Sequence, residues 1–316
     1  MLSPIKTTHL IVGAGISGLT LAQRLQHFDC LVLEKSKGVG GRMATRRIES
    51  EFFDHGAQFY KTSKIKKNYW DTFWSEQKKA QMWFKKDLIK YKVGTNGMAH
   101  LAKSLVIANQ LILNEKVFKI MNNTNYIELQ TESGQRYHAD YLYLSSPLPQ
   151  SLEILNLSNI SYRTELDHIK YAKALVGLFQ TQGNFKIDHV KNFQDNCNDH
   201  IFSISRQNSK VKSLESTFVV VMQPIWSESY YDLSDVQILE KITSIFSQYL
   251  IENSELADLN FKFSQLKKWR YSHPINPMTS GFEKISERLF LFGDAFFGKS
   301  ILSAINSALS IPVKNI

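Results

Sequence analysis

The amino-acid sequence predicts an α/β protein with two domains, and three observations support that fold class. The chain begins with a short apolar run over 8–12, a glycine-rich turn and a stretch with helical apolar spacing, which is typical of a strand–turn–helix unit. Near the other end, the apolar run 289–292 leads into a second glycine-containing turn and a predicted helix over 300–310. The region 160–270 carries strand-like runs and one amphipathic helix over 236–250, which predicts a separate sheet-plus-helix domain. A chain of 316 residues fits two domains at roughly 150 residues each.

The glycine-rich turn near the N-terminus has the spacing of a dinucleotide-binding loop. It comprises Gly13, Ala14, Gly15, Ile16, Ser17 and Gly18. Gly13 allows a sharp turn out of the strand, Gly15 lets a pyrophosphate approach the backbone, and Gly18 lets helix and strand pack closely. The first N–H groups and the dipole of the following helix then stabilise the diphosphate.

An acidic residue ends the second predicted strand. This strand, 30–33, leads to Glu34, which stands 21 positions after Gly13. A Rossmann-type domain places an acid about 20 residues after its glycine turn, where the carboxylate accepts hydrogen bonds from a ribose. The sequence therefore predicts a Rossmann-type dinucleotide-binding domain, and this motif alone leaves NAD and FAD as alternatives.

Beyond Glu34 and Lys35, two further segments carry small and polar residues at close spacing. They contain Gly40, Gly41 and Arg42, and then His55, Gly56, Ala57 and Gln58. Over residues 8–60 the sequence resembles the flavin amine-oxidase superfamily, and within it the renalase-like FAD-dependent oxidoreductases. The resemblance implies a Rossmann-type FAD-binding domain (glutathione-reductase-like) with non-covalent FAD. Its first segment would contact the phosphates and its second would run along the isoalloxazine, with Glu34 and Lys35 completing this part of the cofactor site.

The resemblance implies further FAD contacts later in the chain. The backbone of Val117 would touch the adenine, and Asp294, after Gly293, would accept a hydrogen bond from the ribityl chain. The helix start at Ser303 and Ala304 would direct its positive end towards the flavin N1/C2 carbonyl, where negative charge collects on reduction. The sequence departs from the family here, because Leu302-Ser303-Ala304 stands where an acid-Gly-Ala is expected. We expect FAD binding to survive, since backbone donors remain, while the missing glycine restricts how closely the helix approaches.

The same resemblance implies a discontinuous domain organisation. The FAD-binding domain would comprise residues 1–60, 93–160 and 272–316, and the substrate domain would comprise 61–92 and 161–271. Aromatic side chains of the substrate domain and its border could stack on a planar substrate. The candidates are Tyr60, Trp269 and Tyr271, for which core packing is the alternative.

Composition excludes several classes of protein. Hydrophobic content of 43% and charged content of 21% are typical of a folded chain. The apolar runs fall far short of the roughly 18 residues that a membrane span needs, and the N-terminus lacks the features of a signal peptide. Cys30 and Cys197 are too few for a disulfide framework or a cysteine-based zinc site. We therefore expect a cytoplasmic protein without a resident metal.

The net charge of +9 has three interpretations. Lysines alternate with aromatic residues over 60–92, and we favour solvated lysine faces with buried aromatics. A positive field that steers an anionic small substrate comes second. Binding of single-stranded nucleic acid is the least favoured interpretation.

The predicted reaction follows from the motifs and from what the sequence lacks. No second glycine-rich turn of this spacing follows a strand, which argues against a dedicated NAD(P)H domain. No Ser/His/Asp signature or metal cluster is evident, so no side chain is assigned as catalytic. We expect hydride transfer from a small substrate to flavin N5 and reoxidation by oxygen to hydrogen peroxide. The resemblance implies dihydronicotinamide dinucleotide isomers as substrates; the alternatives are a flavin amine oxidase and a catalytically degenerate FAD-binding protein that acts through partners.

Overall fold

The computed structural model describes residues 3–63, 68–181, 192–210, 216–253 and 260–313. Three lysines of the basic, aromatic segment, Lys64, Lys66 and Lys67, lie outside these ranges. Within them, no helix has the length and apolar character needed to span a membrane.

The strands and helices follow one another along the chain in a mixed α/β order. The strands are β1 (Ile5–Val12), β2 (Cys30–Glu34), β3 (Thr45–Ile48), β4 (Glu51–Asp54), β5 (Tyr60–Thr62), β6 (Ala80–Lys86), β7 (Ile89–Gly94), β8 (Leu111–Leu113), β9 (Val117–Asn122), β10 (Ile127–Thr131), β11 (Arg136–Leu144), β12 (Tyr171–Thr181), β13 (Phe193–Asp195), β14 (Ile201–Arg206), β15 (Thr217–Met222), β16 (Phe261–Pro274), β17 (Phe282–Lys284) and β18 (Leu289–Phe292). The helices are α1 (Ile16–Arg24), α2 (Asp71–Glu76), α3 (Met98–Lys103), α4 (Leu148–Leu157), α5 (Pro224–Tyr230), α6 (Asp235–Glu252) and α7 (Ile301–Ser310).

The chain divides into two compact units. The first contains Met1–Arg42, Leu101–Lys170 and Pro274–Ile316, and the second contains Met43–His100 and Tyr171–His273. The sequence-based division placed 43–60 and 93–100 with the first domain. In the structure β4 packs on β15 and β5 pairs with β7, so 43–60 and 93–100 fall in the second unit, while 161–170, predicted as part of the substrate domain, fall in the first. Which unit carries which function stays a prediction.

The first unit is built on a mostly parallel sheet. Its order is β17-β18-β11-β1-β2-β8, with β9 and β10 added antiparallel beside β11. Val12 pairs with both Leu144 and Leu33, and Leu144 pairs with Leu291, so the carboxyl ends of four parallel strands share one edge. The chain leaves β1 towards β2 and β8 and returns to β11 and β18 on the other side. This makes β1 a topological switch point, where ligands bind in open α/β sheets.

Apolar runs explain why this sheet forms. Its central strands are buried along most of their length, with Leu10, Ile11, Leu142 and Leu144 all at 0% exposure. Continuous burial of this kind is typical of parallel strands covered on both faces. The α/β fold class is confirmed.

The second unit contains the predicted sheet-plus-helix arrangement. Its antiparallel sheet has the order β13-β14-β15-β12-β16, and a hairpin β3-β4 and a small sheet β5-β7-β6 accompany it. Helix α6 buries Ile238, Ile242, Phe246 and Leu250, which recur every four residues and therefore share one face. Ser234 begins the helix with a reciprocal capping box to Gln237.

Candidate functional site

The glycine turn in the first unit combines close packing with an open approach. A Cβ atom at Gly18 would lie 2.0 Å from the carbonyl oxygen of Gly13, and Gly13 itself has φ of +105°, a conformation that favours glycine. A Cβ atom at Gly15, by contrast, would meet nothing within 4 Å. Two glycines are therefore needed for the turn itself, while Gly15 leaves space beside the backbone.

The N-terminus of α1 faces this turn without a side-chain cap. Gly15 is the N-cap, and the first turn, which includes Ile16 and Ser17, contains no acidic residue. The first N–H groups of an α-helix have no partner within the helix, and the helix dipole makes this end positive. The turn thus has the backbone chemistry of an anion-binding site.

Glu34 ties the end of β2 to the glycine turn. One carboxylate oxygen accepts the Ala14 N–H at 2.8 Å and the other accepts the Ser36 N–H at 2.9 Å. The side chain is 8% exposed, and each carboxylate oxygen has a second lone pair that can accept from a hydroxyl group. Its neighbour Lys35 is exposed and donates to Gln150 at 3.2 Å.

Val117 lies close to the same strand end. The Glu115 N–H donates to the backbone oxygen of Glu34 at 2.9 Å, and β9 begins two residues later. The Val117 side chain is 5% exposed, so it contributes to the core of the first unit. Its predicted backbone contact with an adenine stays a prediction.

The second glycine segment packs directly on the first. The Gly40 N–H donates to the Ala14 oxygen at 2.8 Å, and a Cβ atom at Gly41 would lie 3.5 Å from the Gly15 Cα. Both residues have positive φ, at +109° and +50°. The pair thus brings Arg42 to the edge where the parallel strands end.

The two ends of the chain meet at this edge through Arg42 and Asp294. The guanidinium donates to both carboxylate oxygens, and the Nη2–Oδ1 distance is 2.9 Å. A Cβ atom at Gly293 would lie 3.7 Å from the Ser17 hydroxyl oxygen, which places β18 beside the start of α1. The resemblance implies a phosphate contact for Arg42 and a ribityl contact for Asp294, and the sequence does not indicate that the two side chains bind each other. Such bidentate, charge-assisted pairs are among the strong hydrogen bonds of proteins.

Helix α7 begins with its own cap. The Ser303 N–H donates to the Ser300 hydroxyl at 3.1 Å, and the Ala304 N–H donates to the Ser300 backbone oxygen at 3.0 Å. The departure at Leu302-Ser303 therefore coincides with a helix start at which the Ser303 N–H donates to the chain's own Ser300 hydroxyl. The predicted helix over 300–310 is confirmed by α7.

In the second unit, the segment from His55 to Gln58 is held by an aromatic stack and a buried polar network. The His55 ring stacks on Trp269 at 5.4 Å between centroids, and the Trp269 Nε1–H donates to the His55 backbone oxygen at 2.8 Å. Burial, reinforced by the positive charges of Lys267 and Arg46 and opposed by Asp54, lowers the pKa of His55 to about 4. The imidazole is therefore neutral near pH 7, and its Nδ1 has no hydrogen-bond partner among the described residues.

The buried network centres on an ion pair that sequence reasoning missed. Lys210 Nζ lies 2.9 Å from Asp54 Oδ2 and 3.2 Å from Gln58 Oε1, and both charged side chains are fully buried. The other Asp54 oxygen accepts from the Met98 N–H and the Thr45 hydroxyl, each at 2.7 Å. Burial lowers the pKa of Lys210, while the Asp54 carboxylate opposes that shift. Lys210 lies in a region without a motif, so no sequence signal identified it.

The small residues of this segment and the three aromatic candidates occupy different environments. Gly56, Ala57, Trp269 and Tyr271 are all half-buried. The Tyr271 ring meets the Tyr171 ring edge-on, with 5.9 Å between the ring centroids. Tyr60 is 2% exposed and its hydroxyl donates to Asp71 Oδ1 at 2.8 Å. This placement favours the packing alternative for Tyr60.

Comparison with known proteins identifies a domain type and a fold. A family model described as an NAD(P)-binding Rossmann-like domain matches residues 11–76. A Drosophila melanogaster protein named "Possible lysine-specific histone demethylase 1" is 50% identical over 50 residues, which are 15% of this chain and 6% of that protein. The chain thus spans only a small part of this curated relative.

Two solved structures match nearly the whole chain. A structure named "Putative protoporphyrinogen oxidase", from Exiguobacterium sp. 255-15, has a TM-score of 0.76 at 12% identity and covers 98% of each chain. Wild-type putrescine oxidase bound to putrescine has a TM-score of 0.64 at 13% identity and covers 97% of each chain. At such low identity the likeness concerns the fold, and it confirms the predicted architecture. No cluster of three or more metal-binding side chains occurs in the described part of the chain.

Proposed function

We propose that this chain is an FAD-dependent oxidoreductase. The observation that carries the proposal is the open space at Gly15, directly beside the start of α1, which has no side-chain cap. Glu34 and Asp294 lie at the same edge of the sheet. A dinucleotide needs this combination, because a pyrophosphate must approach the backbone while an acid accepts from its ribose. The likeness to flavin-oxidase structures over nearly the whole chain supports FAD over NAD.

The residues of the first unit divide the binding of the dinucleotide among them. The N–H groups of Ile16 and Ser17 would hold the pyrophosphate, and Glu34 would accept from the adenosine ribose beside Val117. Arg42 would bring a guanidinium group to the same edge, where the paired Asp294 carboxylate orients it and offsets its charge. Bound FAD would supply a ring that accepts a hydride at N5 and passes the electrons on to oxygen.

In the second unit, the residues that the resemblance assigns to the isoalloxazine are held in place by their own neighbours. Lys210 and Asp54 hold Gln58, and Trp269 holds His55, so the small Gly56 and Ala57 lie in a segment anchored on both sides. The neutral His55 can donate or accept a hydrogen bond without adding charge. Trp269 and Tyr271 offer partly accessible rings for a planar substrate.

By resemblance, we propose dihydronicotinamide dinucleotide isomers as substrates and oxygen as the acceptor, with hydrogen peroxide as product. The net charge of +9 supports an anionic substrate through electrostatic steering. An amine oxidase is the second candidate, supported by the likeness to putrescine oxidase. The third is a catalytically degenerate FAD-binding protein, supported by the Ser300 cap on α7.

Anaerobic bleaching of the purified protein separates these candidates. The proposal expects a yellow protein whose flavin is released on heating and whose visible absorbance is lost on adding dihydronicotinamide isomers, but not putrescine. Bleaching by putrescine alone would establish the amine oxidase, and a yellow protein that no candidate bleaches would favour the degenerate flavoprotein. A colourless protein that binds NAD overturns the flavin assignment.

A further inference from the structure

The hairpin formed by β6 and β7 in the second unit ends in a basic and apolar tip, residues 85–90. Its last register pair joins Lys86 to Ile89, so the two residues between them form the turn. Pairing of β7 with its other neighbour, β5, ends at Lys90 and does not reach the turn. The turn therefore lies past the end of that pairing, at one extremity of the small sheet β5-β7-β6.

The apolar part of the tip is exposed at a position where the fold does not use it. Leu88 is 78% exposed and Ile89 beside it is 38% exposed. Turns favour Gly, Asn and Asp, and Asp87, with φ of +54°, follows that rule. Leu88 neither supports the turn nor packs in a core. A single exposed leucine is common on protein surfaces, and what distinguishes this one is the charge around it.

Three lysines surround the turn on both faces of the hairpin. Lys85 pairs with Lys90, and the next pair, which contains Lys86, projects to the opposite face. Among the described residues, the ammonium groups of these tip lysines have no ion-pair or hydrogen-bond partner, whereas Lys92 farther along β7 has an acidic partner at 2.6 Å. Like charges directly opposite each other destabilise a strand pair. An anionic surface would relieve that repulsion.

Protection of a sheet edge does not account for this arrangement. Lysines on an edge strand hinder pairing with other chains, and β6 is an edge strand. Lys90, however, lies on the central strand β7, and Leu88 in the turn is not part of the paired ladder. The tip thus combines unpaired cations with an apolar point, and edge protection explains only part of it.

The stem below the tip is held by stacked rings. Phe84 and Tyr91 stack at 4.4 Å between centroids and 18° between planes, and Lys61 Nζ of β5 lies 5.1 Å from the Tyr91 centroid. Lys61 pairs with Tyr91, so it adds a fourth cation on the face that carries Ile89. A braced hairpin loses little conformational freedom on binding, which favours association.

We propose that the tip of the β6–β7 hairpin docks this protein on an anionic phospholipid surface, with Leu88 and Ile89 inserted at the headgroup level and the tip lysines on the lipid phosphates. Apolar side chains bind the acyl boundary while cations are attracted to acidic headgroups, so a membrane uses both parts of the tip. A nucleic acid would use the lysines and leave Leu88 in water. The tip contains no residue of the proposed cofactor site, and its binding does not depend on the oxidoreductase function.

The test is a titration of the full-length protein, as purified, with vesicles of phosphatidylcholine alone or of an equimolar mixture with phosphatidylserine, followed by flotation. We expect binding to the mixed vesicles at about 0.15 M salt and its loss at about 1 M, where charges are screened within roughly 3 Å. The absence of binding to the mixed vesicles, or equal binding to both kinds, overturns the proposal.

Replacing the three tip lysines by glutamine separates local docking from attraction by net charge. This variant should bind the mixed vesicles roughly 100-fold more weakly, since one lysine near an anionic surface contributes about fivefold. The matched control replaces three exposed lysines of the first unit by glutamine and should retain most of the binding; these are Lys6, Lys103 and Lys116. An equal loss in the two variants attributes the binding to net charge and overturns the proposal.

Leu88→Asn tests the apolar insertion. It should weaken binding to the mixed vesicles about tenfold, near the lower limit for burying a leucine side chain. The control is Ile225→Asn on α5, where the side chain is 84% exposed, and it should leave binding unchanged. Unchanged binding by Leu88→Asn overturns the proposal, and if the tip lysines then also retain a single-stranded oligonucleotide, the tip is a nucleic-acid site instead.

Discussion

Replacing Lys210 by methionine leaves a buried carboxylate without its counter-ion. In the native protein both Lys210 and Asp54 have no exposed side-chain area, and their charged atoms lie 2.9 Å apart. The substitution keeps most of the side-chain volume but removes the donor to Asp54 Oδ2 and to Gln58 Oε1. It also removes the ammonium group 5.0 Å from the Trp83 ring centroid.

The cost is set by the remaining charge rather than by the lost volume. Breaking a buried ion pair from one side typically costs about 3–5 kcal/mol, whereas replacing both partners is often close to neutral. We therefore expect Lys210→Met to lower the free energy of unfolding by about 3–5 kcal/mol. The double variant Asp54→Asn/Lys210→Met should recover a large part of that loss, since no charge is then buried.

Tryptophan fluorescence during urea unfolding measures this effect in the right part of the molecule. All five tryptophans belong to the second unit, as does the ion pair. Lys262→Met is the matched control in the same unit, because Lys262 lies 3.8 Å from Glu49 with both side chains exposed, and it should leave stability nearly unchanged. The reasoning is refuted if Lys210→Met costs less than about 1 kcal/mol, the scale of a surface pair, or if the double variant is no more stable than the single one.

Three further predictions concern the glycine turn, the Arg42–Asp294 pair and His55. Gly18→Ala, whose Cβ would lie 2.0 Å from a backbone oxygen, should lower the free energy of unfolding in urea by at least about 1–3 kcal/mol. Gly15→Ala should leave that free energy nearly unchanged while reducing the amount of bound flavin. An equal loss of stability in the two variants would contradict this geometry. Asp294→Asn should lower stability by about 1–3 kcal/mol through loss of a charge-assisted bond, and an Arg42→Lys variant with full stability would argue against the bidentate pair. Burial lowers the pKa of His55 from its ordinary 6.5 to about 4 in the folded protein. Between pH 6.5 and pH 4 the unfolded chain therefore binds one proton at His55 that the folded chain does not, so the free energy of unfolding falls as the pH drops through this range. The loss should approach about 3 kcal/mol at the low end of that window, and His55→Gln should flatten the dependence of tryptophan-monitored unfolding on pH; an unchanged slope would show that other groups cause it.

The sequence by itself predicted the glycine turn, α1 and α6, because each of these elements forms through residues that are close together in the chain. The glycine turn and α1 follow from Gly13 to Gly18, because backbone freedom and close packing are properties of the residues themselves. Helix α6 follows from its four-residue apolar repeat and from the Ser234 cap. The β3–β4 hairpin was not predicted, because Arg46 and Arg47 within β3 are both exposed and give no apolar alternation.

Only the tertiary structure decided which distant groups meet. Arg42 and Asp294 are 252 positions apart, and Asp54 and Lys210 are 156 apart, so each pair depends on how whole strands and loops are brought together. The sequence by itself established the Rossmann-type turn and the acid at the end of β2, because these depend on local spacing. It could not show that Arg42 binds a carboxylate or that Tyr60 is buried, because a side chain's partner is set by the packing of the folded chain and not by its residue type.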